Sequence, residues 1–287
     1  MRTRRLKLTS WALMTGIAAI GIVASGAFDR VDAVTITLYD GSSGVTPNNV
    51  ANPYLAFAGL GSTQSANGGV TTLNTSANQQ ILAGYSNYNP NLTSFVNPLF
   101  PILNRNAGYT LSFTMKLNSQ TNNNPNLAGF NALILGSDKK GIEIGFKQSD
   151  IFAYNNSANL QAGERSTNLT GLISTLNTYN LNILGNNYTL KNNSNTLLTG
   201  LLRDYTGVVN PNNPLTYVYG TSNFLFLGDD KSTIGASVDI KNISLTTANT
   251  PVPEPSSMVG VAVAIGCGVM FKRKLRKADK LILEVKK

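Results

Sequence analysis

Thr110-Leu111-Ser112-Phe113-Thr114-Met115-Lys116-Leu117 sets apolar residues at every second position and polar ones between them. Successive side chains of a strand point to opposite faces, so this octet is a β-strand with one dry face and one wet face. The pattern returns in Ala236, Val238 and Ile240, with Ser237, Asp239 and Lys241 between them. Working outward, the sequence predicts further strands over 34–39, 54–58, 129–135, 141–146, 150–154, 179–184, 188–191, 196–202 and 224–228, with one short helix over 169–176. Turn residues separate most of these: Asp138-Lys139-Lys140-Gly141, Gly185-Asn186-Asn187 and Asn192-Asn193-Ser194-Asn195. Every Asn lies between Asn48 and Asn249, among many Ser, Thr and Gly. These residues favour turns and tolerate left-handed backbone, which suits many short strands joined tightly. Without internal repeats or a second composition, the expectation is all-β, as a single two-sheet β-sandwich over 34–248.

The two ends read differently. Arg2, Arg4, Arg5 and Lys7 precede an apolar stretch from Trp11 to Ala24, and small residues follow at Ser25-Gly26-Ala27 and Val31-Asp32-Ala33. That is the order of a secretory signal peptide over 1–33, with cleavage expected after Ala33 and Ala27 as the alternative. An uncleaved signal anchor is the other reading. At the far end, a Pro-rich linker over 249–257 carries Pro253-Glu254-Pro255, where two prolines prevent any helix from extending backward. An apolar segment over 258–271 follows, then a basic tail over 272–287 that opens with Lys272, Arg273, Lys274, Arg276 and Lys277. The segment is shorter than the roughly 20 residues of a full crossing, so snorkelling lysines and arginines or local thinning complete the span. The basic cluster places this end in the cytoplasm and the sandwich outside. A buried apolar helix with a basic tail is the alternative reading.

The net charge of +9 therefore belongs to the ends. Residues 34–252 carry 10 Lys or Arg against 9 Asp or Glu. No basic stripe is left on the folded part, and nucleic acid is not an expected partner. The chain has no His, and its single Cys267 lies in the apolar segment. Disulfides, thiolate or imidazole metal sites and His-dependent triads are excluded from the sandwich.

The Pro-Glu-Pro motif, the apolar segment and the basic stop, in this order, resemble the PEP-CTERM family of C-terminal sorting signals. That resemblance implies the membrane and an exosortase-type protease as partners. The middle of the chain is also similar to a known group. Gly108-Tyr109-Thr110-Leu111-Ser112-Phe113-Thr114, Ala128-Gly129-Phe130, Gly141-Ile142-Glu143-Ile144-Gly145-Phe146, Leu202-Arg203-Asp204-Tyr205-Thr206 and Phe224-Leu225-Phe226-Leu227-Gly228-Asp229-Asp230 resemble the exported choice-of-anchor domains. The resemblance implies a concanavalin A-like jelly-roll sandwich and carries no assigned activity.

A glycosidase on such a sandwich needs two carboxylates at a fixed separation across the sugar. Glu143 is the one candidate on a central strand, with Gly141 and Gly145 as its same-face neighbours, and the ordinary reading is a solvated surface Glu. Asp150 could approach from the adjoining strand, and Glu164 reads as a loop charge. Asp229 and Asp230, with Asp138 as a third, are the candidate Ca²⁺ ligands, since the ion takes hard oxygen donors at strand ends. A plain turn after Gly228 is the alternative, and no other cofactor is expected. Gly59-Leu60-Gly61 and Asn67-Gly68-Gly69 lack a following helix and are not phosphate cradles. Tyr85 and Tyr88, and Tyr217 and Tyr219, are the candidate sugar-stacking aromatics, placed beside amides and hydroxyls in loop-like contexts. The functional expectation is a non-enzymatic, exported, envelope-anchored surface protein that binds exopolysaccharide or extracellular matrix. A polysaccharide hydrolase or lyase, or a purely structural surface protein, are the alternatives.

Overall fold

A computed structural model of the 287-residue chain describes residues 33–59, 61–76, 83–121, 124–157, 160–231 and 233–248. Residues 1–32 of the expected signal peptide, the sorting motif, the apolar segment and the basic tail lie outside these residues, while Ala33, the last residue of that peptide, already opens the first strand. Among the described residues no helix is long and apolar enough to cross a membrane.

The strands in chain order are β1 (Ala33–Asp40), β2 (Ala56–Gly59), β3 (Thr63–Asn67), β4 (Val70–Asn74), β5 (Ala83–Ser86) and β6 (Tyr109–Gln120). Next come β7 (Phe130–Leu135), β8 (Lys140–Phe146), β9 (Ile151–Tyr154), β10 (Ala162–Ser166) and β11 (Asn177–Leu184). The last are β12 (Asn187–Asn192), β13 (Asn195–Leu201), β14 (Arg203–Asp204), β15 (Phe224–Asp229) and β16 (Ala236–Ala248). The helix expected over 169–176 is a single turn, Thr170–Ile173. The strands form two eight-stranded antiparallel sheets. The first runs β13-β12-β11-β6-β16-β4-β3, and β1 pairs with the C-terminal part of β16 on the edge that β4 takes nearer its start. The second runs β10-β9-β8-β7-β15-β5-β2, and β14 pairs with the first residues of β8.

Between the sheets lies one core. The octet that opens the chain's pattern turns Leu111, Phe113, Met115 and Leu117 inward, all 3 % exposed or less. Phe146 from the second sheet meets Phe113, Phe130 and Tyr179 at ring-centroid distances of 5.6, 6.0 and 5.0 Å, all three T-shaped. Such geometry adds to the roughly 1.5–3 kcal/mol that burying each large apolar side chain contributes.

The two sheets differ on their outer faces. The first alternates, with Thr, Ser and Asn facing out, so its strands are the ones legible from the sequence. In the second, β7 and β9 are buried at every position. Tyr205, Val208, Tyr219 and Phe224, from the segment that follows β14 and leads into β15, cover Leu133 and Leu135 on this outer face. A sheet buried on both sides reads as a continuous apolar run, which is how Phe130–Leu135 appears.

Several strands escape the period-two pattern. β3 and β4 form a hairpin whose turn is Gly68-Gly69, both with positive φ (60° and 82°), the conformation a two-residue primed turn requires. That dipeptide was expected only as a Gly-rich loop. Tyr85 was expected in a loop and instead lies in β5 between β15 and β2.

Candidate functional site

Two features stand out, one on each outer face. The first is the wet face of the first sheet. Register places Thr35 beside Thr246, Thr246 beside Thr110, Thr110 beside Asn182, Asn182 beside Thr189 and Thr189 beside Thr199. A row of hydroxyls and amides thus crosses six strands. Two residues along each strand a second row runs Thr37, Ser244, Ser112, Asn180 and Lys191. Strands lie about 4.8 Å apart and rows two residues apart, roughly 6.7 Å, so the face is a lattice of donors and acceptors. Neighbours brace one another: Thr110 donates to Asn182 Oδ1 at 2.7 Å, Ser112 to Asn180 Oδ1 at 2.7 Å, and the Thr35 and Thr246 hydroxyls pair at 2.8 Å. Each bond uses only part of the capacity of the amide or hydroxyl, which leaves groups free for a ligand. An open groove of about 850 Å³ runs along the end of this lattice, lined by Thr110, Asn182, Thr189, Thr199 and Thr246 on one side and by Ala33, Gly108, Leu184 and Ala248 on the other, with Lys191 as its one charged lining residue.

The second feature is a buried ionic cluster on the outer face of the other sheet. Glu143 of β8 is fully buried, which corrects the expectation of a solvated surface carboxylate. Lys231, just past β15, reaches it with Nζ 2.7 Å from Oε1 and also lies 3.1 Å from Asp230 Oδ1. The Tyr219 hydroxyl donates to Glu143 Oε2 at 2.8 Å, and the Tyr205 hydroxyl accepts from the Glu143 N–H at 3.2 Å. Asn131 Nδ2 donates to Asp230 Oδ1 at 2.6 Å, and the Lys231 ammonium lies 4.5 Å from the centre of the Tyr154 ring. Room for these rings comes from Gly145, where a Cβ would stand 3.0 Å from both Phe152 and Tyr154. Burial, and then Asp230, push the Glu143 carboxyl up to about 7, against the pull of Lys231. Burial acts to lower the Lys231 ammonium, but Asp230 and Glu143 together hold it well above its usual range. Next to it, Asp229 is pushed up to about 8 by burial, against hydrogen bonds from Thr75 and from the Lys231 N–H.

The sequence-predicted site residues are redistributed by this arrangement. Asp138 lies in the turn after β7 and pairs with Arg105 at 2.7 Å, whereas Asp229 and Asp230 lie beside the start of β7, so the three carboxylates do not converge. Asp229 instead takes a 2.6 Å bond from Thr75, and the positive charge beside Asp230 is that of Lys231. Among the described residues no group of three acidic side chains has the spacing to hold a metal ion. The tyrosines do not form a stacking platform. Tyr85 is buried in the core and donates to Gln64 at 2.8 Å, and Tyr219 is buried in the ionic cluster. Tyr88 packs on Phe95 and Phe224 and donates to the Ser222 carbonyl, and of the four only Tyr217 is exposed. Asp150 is engaged by Arg165 and Glu164 by Arg203, so neither approaches Glu143. Lys231 and Asn131 were not anticipated; the one sequence signal was the pair of glycines flanking Glu143, which marks a position where rings close over a strand.

The class defined by fold and faces is an all-β, two-sheet antiparallel sandwich. No family model matches the sequence, and no curated protein matches it. Solved structures resemble it distantly. The carbohydrate esterase of the Shiga toxin-encoding bacteriophage phi24B has a TM-score of 0.45 at 10 % identity, over 67 % of this chain and 90 % of that one. The potassium-bound carbohydrate recognition domain of Emp46p has a TM-score of 0.42 at 12 % identity, over 73 % of this chain and 95 % of that one. The carbohydrate-binding module CBM66 from Bacillus subtilis has a TM-score of 0.36 at 10 % identity, over 66 % and 94 %. At these levels no ligand or activity is carried from those proteins to this chain.

Proposed function

We propose that this is an exported, envelope-anchored surface protein of the PEP-CTERM, choice-of-anchor kind, which acts by contact and not by catalysis. Its ligand is a hydroxyl-rich polymer, exopolysaccharide or matrix, laid across the outer face of the first sheet. The observation that carries this reading is the groove of about 850 Å³ along the end of the Thr/Asn lattice. Sugar hydroxyls both donate and accept, and a braced array of Thr, Ser and Asn meets them with both functions at low cost in side-chain entropy. The anchoring half rests on the Pro-Glu-Pro motif, the apolar segment and the basic stop in the sequence. A hydrolase reading is disfavoured by Glu143, which is sealed beneath Tyr219 and tied to Lys231, while the neighbouring carboxylate, Asp230, is engaged by the same two side chains.

The test incubates the full chain with exopolysaccharide and follows both retention and polymer length. Retention without shortening, preserved in Glu143→Gln, is expected. Shortening by the native chain that Glu143→Gln abolishes would install the hydrolase instead. Intact-mass analysis of the native protein from envelope and medium checks the sorting half, for which loss of the ends near Ala33 and Pro253–Pro255 is expected.

A further inference from the structure

The polar lattice of the first sheet stops abruptly at one end of the sandwich. Two residues beyond the row of Thr35, Thr246, Thr110, Asn182, Thr189 and Thr199, the next row holds Ala33 beside Ala248, then Gly108, then Leu184, Asn187 and Leu201. Apart from the amide of Asn187, hydroxyls and amides give way to methyls and isobutyls within one step of the lattice. The loops at this end extend the change. Gly185 donates to the Arg105 carbonyl at 2.8 Å and Ser137 to that of Leu103 at 3.0 Å, which ties the 97–107 loop to the turns after β7 and β11. Leu99, Ile102, Leu184 and Leu201 project from this end at 73, 68, 63 and 59 % exposure, the largest exposures among the described large hydrophobics apart from Leu215. A cleft of about 350 Å³ beside Ile102 is lined by Pro101, Ile102, Ala107 and Ala248 together with the polar Asn104 and Thr247. Exposed leucines concentrated on one rim mark an interaction surface and not scattered surface residues. Arg105, Lys139 and Lys140 belong to the same loops and turn.

Where the chain leaves the sandwich decides the occupant. Ala248 is the last residue of β16 and lies in this apolar row, and in the sequence only residues 249–257 separate it from the apolar segment at 258–271. We infer that this rim is a lipid-contacting surface, on which Leu99, Ile102, Leu184 and Leu201 enter the headgroup and acyl boundary while Lys139 and Lys140 meet headgroup phosphates. The groove shares Ala33, Gly108, Leu184 and Ala248 with this rim, so lipid covers only its apolar side; the polar lattice one row above stays in water, and a bound polymer is held next to the bilayer. The inference rests on the anchored reading given above and concerns the chain before its C-terminal end is removed.

The experiment uses the full chain with Cys267→Ala, carrying Leu184→Cys or Leu201→Cys labelled with an environment-sensitive dye. The control is Leu176→Cys, at the opposite end of β11 and also exposed. The chain is reconstituted in vesicles of phosphatidylethanolamine and phosphatidylglycerol. At 184 and 201 a blue-shifted emission, quenched by a lipid-borne quencher, is expected, with no change at 176. A chain that floats with the vesicles while the dye at 184 and 201 stays as water-exposed as at 176 overturns the inference and leaves the anchor intact. A blue shift that appears without vesicles, in a chain that sediments as a dimer, also overturns it by making the rim a contact between copies. A chain that does not float at all refutes the anchored reading beneath it.

Discussion

Replacing Lys231 with Met isolates the energetics of the buried cluster. Met keeps the length and apolar stem of the side chain but removes the ammonium that lies 2.7 Å from Glu143 and 3.1 Å from Asp230. Glu143 is then a fully buried carboxyl with only the Tyr219 hydroxyl and a raised tendency to protonate. Removing one partner of a buried pair costs about 3–5 kcal/mol, because the other charge stays desolvated. For a domain of this size that lowers Tm by on the order of 10 °C. The side chain of Lys231 is only 9 % exposed, so little of the effect is screened by water. Pairing the change with Glu143→Gln restores most of the loss, since the orphaned charge is gone and Asp230 keeps access to solvent. Urea unfolding of the wild type, both single variants and the double variant gives the coupling directly. Lys231→Met with a cost below about 1 kcal/mol, or a double variant as unstable as the sum of the singles, would refute the view that burial of an unpaired carboxyl dominates.

Phe146→Ala removes the ring that meets Phe113, Phe130 and Tyr179, and a loss of about 3–5 kcal/mol in the same unfolding assay is expected. Asp229 holds its proton up to about pH 8 in the fold but releases it at the ordinary aspartate value when unfolded. Between those values the folded state binds more protons, so stability falls as pH rises toward 8, and Asp229→Asn flattens that part of the pH–stability curve. An unchanged slope in the variant would place the titration elsewhere. Gly228→Ala drives a Cβ to within 2.3 Å of the Ala83 carbonyl oxygen, and loss of soluble folded protein on expression is expected.

How much was legible in the sequence follows from which faces are wet. β6 and β16 announce themselves because Thr, Ser, Asp and Lys alternate with inward Leu, Phe, Met, Val and Ile. β3 and β10 offer no such contrast: Thr63-Gln64-Ser65-Ala66-Asn67 and Ala162-Gly163-Glu164-Arg165-Ser166 are polar or small at nearly every position, and their strand character comes from pairing with β4 and β9. Glu143 was misread for a related reason. Locally it has two glycines on its face, which resembles an open surface, while its partner Lys231 is 88 residues away and the covering Tyr219 is 76 away. Tyr85 and Tyr219 were read as exposed because amides and hydroxyls surround them in sequence, yet tertiary packing turned one into the core and the other onto Glu143. The Thr/Asn lattice was half visible: the outward residues of β6 were assigned correctly, but only register aligns them with Thr246, Asn182, Thr189 and Thr199 across the sheet.

The central claim, that the Thr/Asn face holds a hydroxyl-rich polymer, is tested most directly by affinity electrophoresis of the full chain in gels containing exopolysaccharide. Wild type is compared with Asn180→Ala and Asn182→Ala combined. Loss of two amides from the lattice, at about 1 kcal/mol for each hydrogen bond, predicts affinity weakened by about tenfold or more, in a variant that still folds but loses about 1–3 kcal/mol of stability with the bonds from Thr110 and Ser112. Retardation identical to wild type in a folded double variant would contradict the account and move the binding surface off this sheet.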